Sequence, residues 1–552
     1  MSARRGPLQR LQASRIYGQR HTWAVLALAA AATGLYLLTL TDRHTFDAVT
    51  YAALAENPDL PGSLVLLLQP HHLGYHVLSH LTYRLWLLLG WQGRSMLPLQ
   101  VLSALLAGLG LVLFGRLLSR FVRGSVVLVT LVLLAIVHGY WLFGVSVEVY
   151  SLSFAMLTLA AYGSFELQRT GSQKAAFWAG VGLALAILAH VMNALFFVVL
   201  LGAVLLAPAE TRGRRFRLFL IASAVTGVLV LVPYGLAILV LRLDSWREIS
   251  YWLTLYAHTG RGGDVRNRAL HLTSLQLAVQ GLRDFFIALK PDLNWLLNLL
   301  LLAPVALWGA LALRANRRVA GLCLLWLALY GAFITWWSPA GELWMPLVPP
   351  VLILLALAVN RVSGRPGRLV LAGLLVFAAV AATLNWRNGV SNPQRQVIAG
   401  GEESARAIAA CVDPGEEVIT TTALYPLLSY YGGLKPISFD LVFYLAEMQG
   451  REGVKERAVR TLQETIEEAL DQDRSIWITG EVLNGNGVSA KHGVGPGEIQ
   501  SLLAPYHLER TTCAYTATYL PGSPSFDLYR IGPPSTSRQS RTLPLASTGR
   551  EP

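Results

Sequence analysis

Long runs of apolar residues, each close to the length that crosses a lipid bilayer, recur along the first two thirds of the chain. A helix needs about 20 apolar residues to span the hydrocarbon core, so the pattern predicts a mostly α-helical polytopic membrane protein with about eleven transmembrane helices. The first run is longer than the apolar core of a signal peptide, and more runs follow, so we expect it to be retained. The predicted spans are 22–41, 95–115, 124–144, 147–166, 175–190, 191–208, 217–241, 292–313, 319–336, 344–360 and 368–385.

Basic residues concentrate in every second connection between these spans. By the positive-inside rule, those connections and the basic tail 1–21 are predicted to be cytoplasmic. An odd number of spans then places the C-terminal domain outside the cytoplasm, together with the first outer loop, 42–94, and the long loop 242–291. The basic residues of these connections are Arg116, Arg120, Arg123, Arg169, Lys174, Arg212, Arg214, Arg215, Arg217, Arg314, Arg317, Arg318, Arg361, Arg365 and Arg368.

Composition agrees with this membrane assignment. The 552 residues are 54% hydrophobic and only 14% charged, whereas a soluble globular protein carries about 25% charged residues. The formal net charge of +13 raises the question of nucleic-acid binding. The arginines, however, lie in short loops between apolar runs, where they set topology, so we expect no nucleic-acid partner.

The first outer loop is predicted to contain two helices that lie at the membrane interface, at about 45–56 and 72–90. Residues 64–91 are apolar enough to span the bilayer, but another crossing would break the alternation of basic connections. Aromatic side chains suit the interface, and this segment carries Tyr75, Tyr83, Trp86 and Trp91.

Near residue 396 the pattern changes to short alternating helices and strands, which predicts a small soluble α/β domain over 396–532 after a membrane domain over 22–395. Strands are predicted at 416–421, 436–440, 475–479, 508–518 and 525–531. Residues 533–552 are rich in Pro, Ser, Thr and Arg and are predicted to be disordered. Cys411 and Cys513 in this domain can pair if it is exported, but the spacing is equally compatible with two unpaired thiols.

Two acidic residues lie next to predicted helix starts on the outer side. Asp47 follows the first span, and Glu148 lies in the turn before the fourth. A carboxylate this close to hydrocarbon is costly unless it is solvated, paired or used in function. Favourable interaction with the helix dipole is an equally good explanation for Asp47.

Histidines recur along the second interfacial helix. His72, His76 and His80 are spaced so that they share one helix face, and His71 is adjacent. Such a face can bind phosphate, or a divalent metal through His72 and His76. It can also be the polar face of an amphipathic helix, because no carboxylate or cysteine of this segment completes a metal site.

Other polar residues are predicted at the same membrane face. Tyr150 follows Glu148, His190 and Asn193 lie near an outer helix end, and Glu342 lies among tryptophans. For His190 and Asn193, hydrogen bonding within the bundle is the simpler explanation. Convergence of these groups at one face favours a catalytic cleft over a transport pathway, which would need polar groups near the midplane.

Four segments, taken in order, resemble the GT-C superfamily of membrane glycosyltransferases, which includes protein O-mannosyltransferases and the lipid A aminoarabinose transferase. FDAVTYAALAE resembles the acidic motif of the first outer loop, and QPHHLGYHVLSHLTYRLW resembles the second interfacial helix. VSVEVYSLSFAMLTLAAY and LAHVMNALFFV resemble the two following motifs. The resemblance covers about 22–210. His71 and His72 stand where the family often has prolines, so subfamily and donor stay unassigned.

This resemblance implies a transferase that moves a sugar from a polyprenyl-phosphate donor to a hydroxyl of a glycan, lipid or protein at the outer face. It implies Asp47 as general base, with Glu148 holding the acceptor, a metal or an arginine. Candidate groups for donor and phosphate binding are His71, His72, His76, Arg84, Tyr150, His190, Asn193, Glu342, Arg247, Arg261, Arg266 and Arg268. No cofactor is required by this chemistry, although a divalent metal is compatible with it. The alternatives are a transporter or flippase and a non-catalytic envelope assembly protein.

Overall fold

The computed structural model describes residues 7–42, 44–57, 63–208, 211–254, 272–288, 306–337, 341–391, 401–450, 452–485, 494–518, 520 and 522–534. The chain divides into two compact units, Met1–Ala399 and Gly400–Pro552, close to the boundary predicted at residue 396. The first unit is helical where it is described, and the second combines a sheet with helices.

The first unit contains helices of very different length. They are α1 Pro7–Leu38, α2 Phe46–Glu56, α3 Ser63–Leu67, α4 Leu73–Leu88, α5 Met96–Leu118, α6 Gly124–Ile136, α7 His138–Val145, α8 Tyr150–Thr170, α9 Gln173–Ala189, α10 Phe196–Leu205, α11 Arg212–Val240, α12 Trp246–Leu253, α13 Leu272–Phe286, α14 Ala306–Ala315, α15 Arg317–Trp337, α16 Val348–Asn360 and α17 Gly364–Asn385. Short 3₁₀ segments, Val191–Leu195 and Gly341–Leu347, precede α10 and α16.

Within the described residues, six helices are long and apolar enough to cross a membrane, or seven if the bent pair α6 and α7 counts as one. The chain is therefore an integral membrane protein with several spans. The predicted spans 147–166, 175–190 and 191–208 coincide with α8, α9 and α10, which are more polar or shorter. Most of the predicted span 292–313 lies outside the described residues, and the total of eleven stays a prediction.

The predicted span 124–144 is not one straight helix. It breaks at Val137, and α6 and α7 meet at a bend of 63°. Carbonyl groups next to the break are bonded by distant side chains: the Tyr36 hydroxyl donates to Ala135 O at 2.7 Å, and Asn385 Nδ2 donates to Ile136 O at 2.7 Å. These partners allow an apolar bundle to contain a break, because buried carbonyls need donors.

Contacts at one end of the bundle join the connections that were predicted to be cytoplasmic. His21 Nε2 lies 2.9 Å from Ser119 Oγ, and Arg120 donates to the Tyr162 hydroxyl at 2.6 Å. Arg123 donates through its backbone NH to Asn360 Oδ1 and through Nη2 to Val362 O. This end of the bundle therefore brings together His21 of α1 and the ends of α5, α8 and α16.

The opposite end depends on one buried amide side chain in α5. Gln100, which is 4% exposed, donates through Nε2 to Thr41 O at 2.7 Å and to Val145 O at 3.1 Å. The backbone NH of Thr41 also donates to Val145 O at 3.3 Å. The chain leaving α1 and the chain leaving α7 are thus held side by side. The two ends of the bundle carry the two sets of connections that the charge alternation predicts.

The first outer loop contains the two predicted helices, α2 and α4, and a short helix α3 that was not predicted. Histidines join these helices: His76 Nδ1 lies 3.1 Å from Leu67 O, and His80 Nδ1 lies 2.9 Å from Ala55 O. On the other side of α4, a row of apolar side chains is exposed, as expected for a helix at a membrane interface. The row consists of Val77, Leu81, Leu85 and Leu88.

The second unit is built on a five-stranded mixed sheet. Its strands are β1 Glu417–Thr420, β2 Lys435–Ser438, β3 Ile476–Thr479, β4 Tyr506–Thr516 and β5 Ser525–Pro534, in the order β2-β1-β3-β5-β4. The first three strands are parallel, whereas β5 is antiparallel to β3 and to β4. Each lies where a strand was predicted, and β5 continues through two residues of the segment predicted as a disordered tail. Residues 535–552 are outside the described part.

The helices of the second unit are α18 Glu402–Ala409, α19 Tyr425–Leu427, α20 Phe439–Gln449, α21 Val454–Asp471, α22 Gly480–Leu483 and α23 Pro496–Leu503. In α21, the apolar faces of Ala458, Leu462 and Ile466 pack into the same core as Ile476 and Ile478 of β3. Apolar residues recur along α21 at helical spacing because this face of the helix packs against the sheet.

Of the two possibilities that the sequence left open for Cys411 and Cys513, the structure has the disulfide. The bond joins the segment after α18 to β4 across 102 residues of sequence. Cys323 is a buried free thiol in α15.

We expect Gln100→Met to destabilise the membrane unit by about 2 kcal/mol, because two hydrogen bonds to buried carbonyls are lost with little change in volume. Thermal unfolding of the full chain in detergent measures this. Leu97→Met, on the exposed face of the same helix, is the matched control. Equal melting temperatures for the two variants would show that the hydrogen bonds of the Gln100 amide do not stabilise the membrane unit.

We expect Cys513→Ser to lower the stability of the full chain by about 3 kcal/mol, since the bridge restricts a long loop of the unfolded chain. Peptide mapping without reduction should recover the peptides of Cys411 and Cys513 as one linked pair. The Cys323 peptide is an internal control and should stay unlinked. Alkylation of both cysteines in the unreduced folded protein would contradict the bridge.

Candidate active site

The hydroxyl of Thr45 links the start of α2, which carries Asp47, to the side chain of Glu148. Thr45 caps the start of α2: its Oγ1 accepts from the backbone NH of Ala48 at 3.0 Å and donates to Glu148 Oε1 at 2.9 Å. Asp47 lies in the first turn of α2, and Glu148 lies two residues before α8. Two carboxylates separated by about 100 residues of sequence thus occupy neighbouring helix starts.

The two carboxyl groups have different surroundings. Asp47 is exposed, whereas Glu148 is 4% exposed. Burial, and then the negative charge of Asp47, raises the pKa of Glu148 well above its usual value, while the hydrogen bond from Thr45 lowers it. Glu342, in the 3₁₀ segment before α16, also raises the pKa of Glu148, so it lies close enough to repel it. Neighbouring carboxyl groups resist simultaneous ionisation, and burial favours Glu148 as the one that keeps its proton.

Aromatic residues of the first loop pack beside this acidic pair. Tyr51 of α2 makes an edge contact with Tyr75 of α4 at 5.3 Å between ring centres, and both rings are buried. Burial, followed by the charges of Asp47 and Glu148, raises the pKa of Tyr51 well above its usual value. The Tyr51 hydroxyl is therefore near both carboxyl groups and stays protonated.

A cluster of histidine rings forms at the start of α4. His72 lies just before α4, and its ring contacts His190 at 4.7 Å between ring centres and His76 at 5.9 Å. His71 lies next to His72 at 6.3 Å. His80 is bonded to the end of α2 and is not part of this cluster.

These imidazoles are held in the neutral form. Burial lowers the pKa of His71 and of His76 to about 4, and burial with the neighbouring His190 and His76 lowers that of His72 well below its usual value. Neutral imidazoles can hydrogen-bond a phosphate, but they supply no positive charge at neutral pH.

Of the remaining candidate residues, Tyr150 and His190 border the cluster. Their rings are 5.9 Å apart, and His190 Nδ1 accepts from the backbone NH of Met192 at 3.2 Å. Asn193 holds helices together, as the simpler explanation proposed. Its Nδ2 donates to Ser153 Oγ and to Ala186 O at 2.8 Å, and its Oδ1 accepts from the Tyr330 hydroxyl at 3.3 Å.

The predicted arginines are not gathered around the acidic pair in the described structure. Arg84 is exposed on α4, about 18 Å along the helix axis from His72. Arg247 is exposed in α12, and Arg261, Arg266 and Arg268 lie outside the described residues.

A cation that the sequence analysis missed lies at the end of α13. The side chain of Arg283 is 3% exposed, and its Nη2 lies 2.7 Å from Asp284 Oδ1. The segment is held against the bundle, because His138 Nδ1 is 2.8 Å from Asp284 O and Phe285 packs on Phe143 of α7. The sequence signal was an Arg-Asp pair followed by Phe-Phe in a long outer loop, which by itself does not predict burial.

The donor set does not fit a metal. Among the described residues, no group of three or more His, Cys, Asp or Glu side chains is arranged to hold an ion. His72 and His76 are neighbours, but in the described part of the chain no third side chain joins them as a ligand. We therefore derive no step through a metal.

We expect acid to destabilise the histidine cluster. A histidine of the unfolded chain binds a proton below about pH 6.5, whereas buried His76 binds one only below about pH 4. Between these two values the unfolded state binds more protons, so the free energy of unfolding falls as the pH falls, by about 1 kcal/mol per pH unit for each such residue. Thermal unfolding of wild type and His76→Asn should be compared at pH 8 and pH 5. The difference at pH 8 gives the cost of lost contacts, and wild type should lose more stability on acidification than the variant. An equal or larger loss in the variant would contradict the assignment.

The fold was compared with known proteins. No protein-family profile and no curated protein sequence matches the chain. Among solved structures, ArnT from Cupriavidus metallidurans bound to undecaprenyl phosphate has a TM-score of 0.59 at 15% identity, over 92% of this chain and 97% of ArnT. Its apo form gives a TM-score of 0.60 at 16% identity, over the same shares. The oligosaccharyltransferase of Archaeoglobus fulgidus has a TM-score of 0.47 at 13% identity, over 94% of this chain and 74% of that enzyme.

The similarity to ArnT extends over nearly the whole of both chains, while the sequence identity is low. The fold is therefore the common property, and it is the fold that the four sequence motifs predict: the chain has the fold of the GT-C glycosyltransferases.

Proposed function

We propose that this protein transfers a sugar from a polyprenyl-phosphate donor to an acceptor hydroxyl at the non-cytoplasmic face of the membrane. The pairing of exposed Asp47 with buried Glu148 through Thr45 is the observation that carries the proposal. The GT-C fold, and the undecaprenyl phosphate bound to the similar ArnT, support this donor class.

Asp47 is the general base in this proposal. Its carboxylate accepts the proton of the acceptor hydroxyl while that oxygen attacks the anomeric carbon, and the bond from this carbon to the phosphate oxygen breaks. The phosphate leaves as an anion, so it needs no general acid. A single displacement with the base opposite the leaving group inverts the configuration at the anomeric carbon.

Glu148 supports this chemistry through its protonation state. When Glu148 keeps a proton, Asp47 can ionise without a second buried charge beside it. Asp47 then remains available to accept a proton at neutral pH. The hydroxyl of Thr45 holds Glu148 Oε1, which leaves Oε2 to carry the proton.

Positive charge for the leaving phosphate comes from arginines of the long outer loop in this proposal. Arg283 is the described candidate, since it is buried close to α7, which leads into the Glu148 segment. The starts of α2 and α8 add the partial positive charge of helix dipoles at the same end of the bundle. His71, His72 and His76 contribute hydrogen bonds as neutral imidazoles.

The proposed orientation has the N-terminus in the cytoplasm and the second unit outside. Arginines gather at the bundle end opposite the acidic pair, as the positive-inside rule requires of a cytoplasmic end. The Cys411–Cys513 disulfide supports an oxidising compartment for the second unit.

We expect Asp47→Asn to lower sugar transfer by about 1000-fold, because general-base catalysis is lost while the shape of the side chain is kept. The assay uses purified protein in detergent with a panel of radiolabelled polyprenyl-phosphate sugars. Asp42→Asn, an exposed carboxylate five residues earlier on the same segment, is the matched control and should keep full activity.

Full activity in a folded Asp47→Asn protein would remove Asp47 as the base. If folded wild-type protein neither binds nor consumes any donor of the panel, the transporter and assembly-protein alternatives replace the transferase.

A further inference from the structure

Thr45 caps α2 and also makes a hydrogen bond that capping does not require. Threonine caps helices widely, and for that purpose its hydroxyl only needs to accept a hydrogen bond. Here the same hydroxyl accepts a hydrogen bond from Ala48 NH and donates one to Glu148 Oε1, just before the start of another helix. The hydroxyl has one proton, so both bonds together fix its orientation.

The position of this bond matters because Asp47 lies two residues from Thr45 on the same helix turn. Upstream, the Gln100 amide already holds Thr41 beside Val145. The Thr45–Glu148 bond is a second link between the same two segments, and Glu148 itself takes part in it. Between them, these bonds determine how the start of α2 faces the start of α8.

We propose that Thr45 is a positioning residue for the acidic pair: its hydroxyl sets the placement of Asp47 relative to Glu148. The inference rests on the proposed function for its catalytic meaning, but the link itself is a structural property. The charged and titratable groups that face Glu148 are Asp47 and Tyr51 from α2, Tyr75 from α4 and Glu342 from the segment before α16.

Three substitutions separate the link from the cap. Thr45→Ser keeps both bonds. Thr45→Val keeps the shape and removes both. Thr45→Gly keeps most of the stability of the cap, but it has no hydroxyl that can bond to Glu148. Thr50→Val is the matched control, because the Thr50 hydroxyl lies on the same helix and bonds only to Phe46 O in the described structure.

The first measurement is hydrogen–deuterium exchange of the α2 backbone in the full-length protein. We expect exchange to accelerate about tenfold in Thr45→Val and Thr45→Gly, and to stay at the wild-type rate in Thr45→Ser and Thr50→Val. This measurement needs no donor. Acceleration in Thr45→Val alone would show that Thr45 acts only as a helix cap, and it would overturn the proposal. Wild-type exchange in all variants would overturn it too.

The second measurement is steady-state kinetics with the donor that wild type consumes. We expect kcat to fall about tenfold in Thr45→Val and Thr45→Gly with the donor KM within about twofold, since the placement of a general base acts on the transition state. Thr45→Ser should recover the wild-type value within about twofold.

The two arms keep the two proposals distinguishable. Wild-type kcat in Thr45→Gly overturns the positioning role whatever the exchange data show. If wild type consumes no donor, the transferase proposal fails, and the exchange measurement still decides whether the Thr45 hydroxyl links the two helix starts.

Discussion

The hydrogen bonds of the Gln100 side chain hold together the end of the bundle that carries the acidic pair. Thr41 and Val145 leave helices α1 and α7 with carbonyl groups that water does not reach, and the Gln100 amide bonds to both. An unsatisfied buried carbonyl costs about as much as a lost hydrogen bond, so this arrangement is strongly preferred. Asp47 and Glu148 follow these two segments within a few residues, and their proximity is a consequence of it.

The same requirement recurs wherever a helix ends or breaks inside the membrane unit. The bend at Val137 has donors from Tyr36 and Asn385, and Asn385 Oδ1 also accepts from the backbone NH of Ala288 at 2.8 Å. Asn385 therefore joins the break in α6 and α7 to the segment after α13. An apolar bundle with irregular backbone needs such amides, and they determine where the outer segments lie.

Asp47 and Glu148 differ in burial, and this difference gives the two carboxyl groups different protonation states. They are chemically similar, yet one is exposed and the other is enclosed by Thr45, tyrosines and helix starts. The enclosed group holds its proton more tightly, which leaves the exposed one ionised. The nearby histidines are neutral for the same reason, because burial penalises the charged imidazolium. Positive charge for a phosphate must then come from arginine.

The sequence by itself determined the properties that depend on local pattern. Apolar runs determine which segments form the helices of the bundle, and arginines determine which connections share one end of it. Short alternating runs determine the strands β1, β2 and β3. The order of four motifs predicted the GT-C fold. These signals are local because a helix or strand face is determined by residues only a few positions apart.

Tertiary structure decided which polar residues act together. Spacing predicts His72, His76 and His80 on one helix face, but it does not predict what they contact. His80 bonds to Ala55 and His72 packs on His190, and both partners are far away in sequence. Burial of Arg283 and the bond from Thr45 to Glu148 likewise depend on partners from distant helices. No local period encodes such partners, because a side chain's hydrogen bonds and desolvation depend on every element that folds against it.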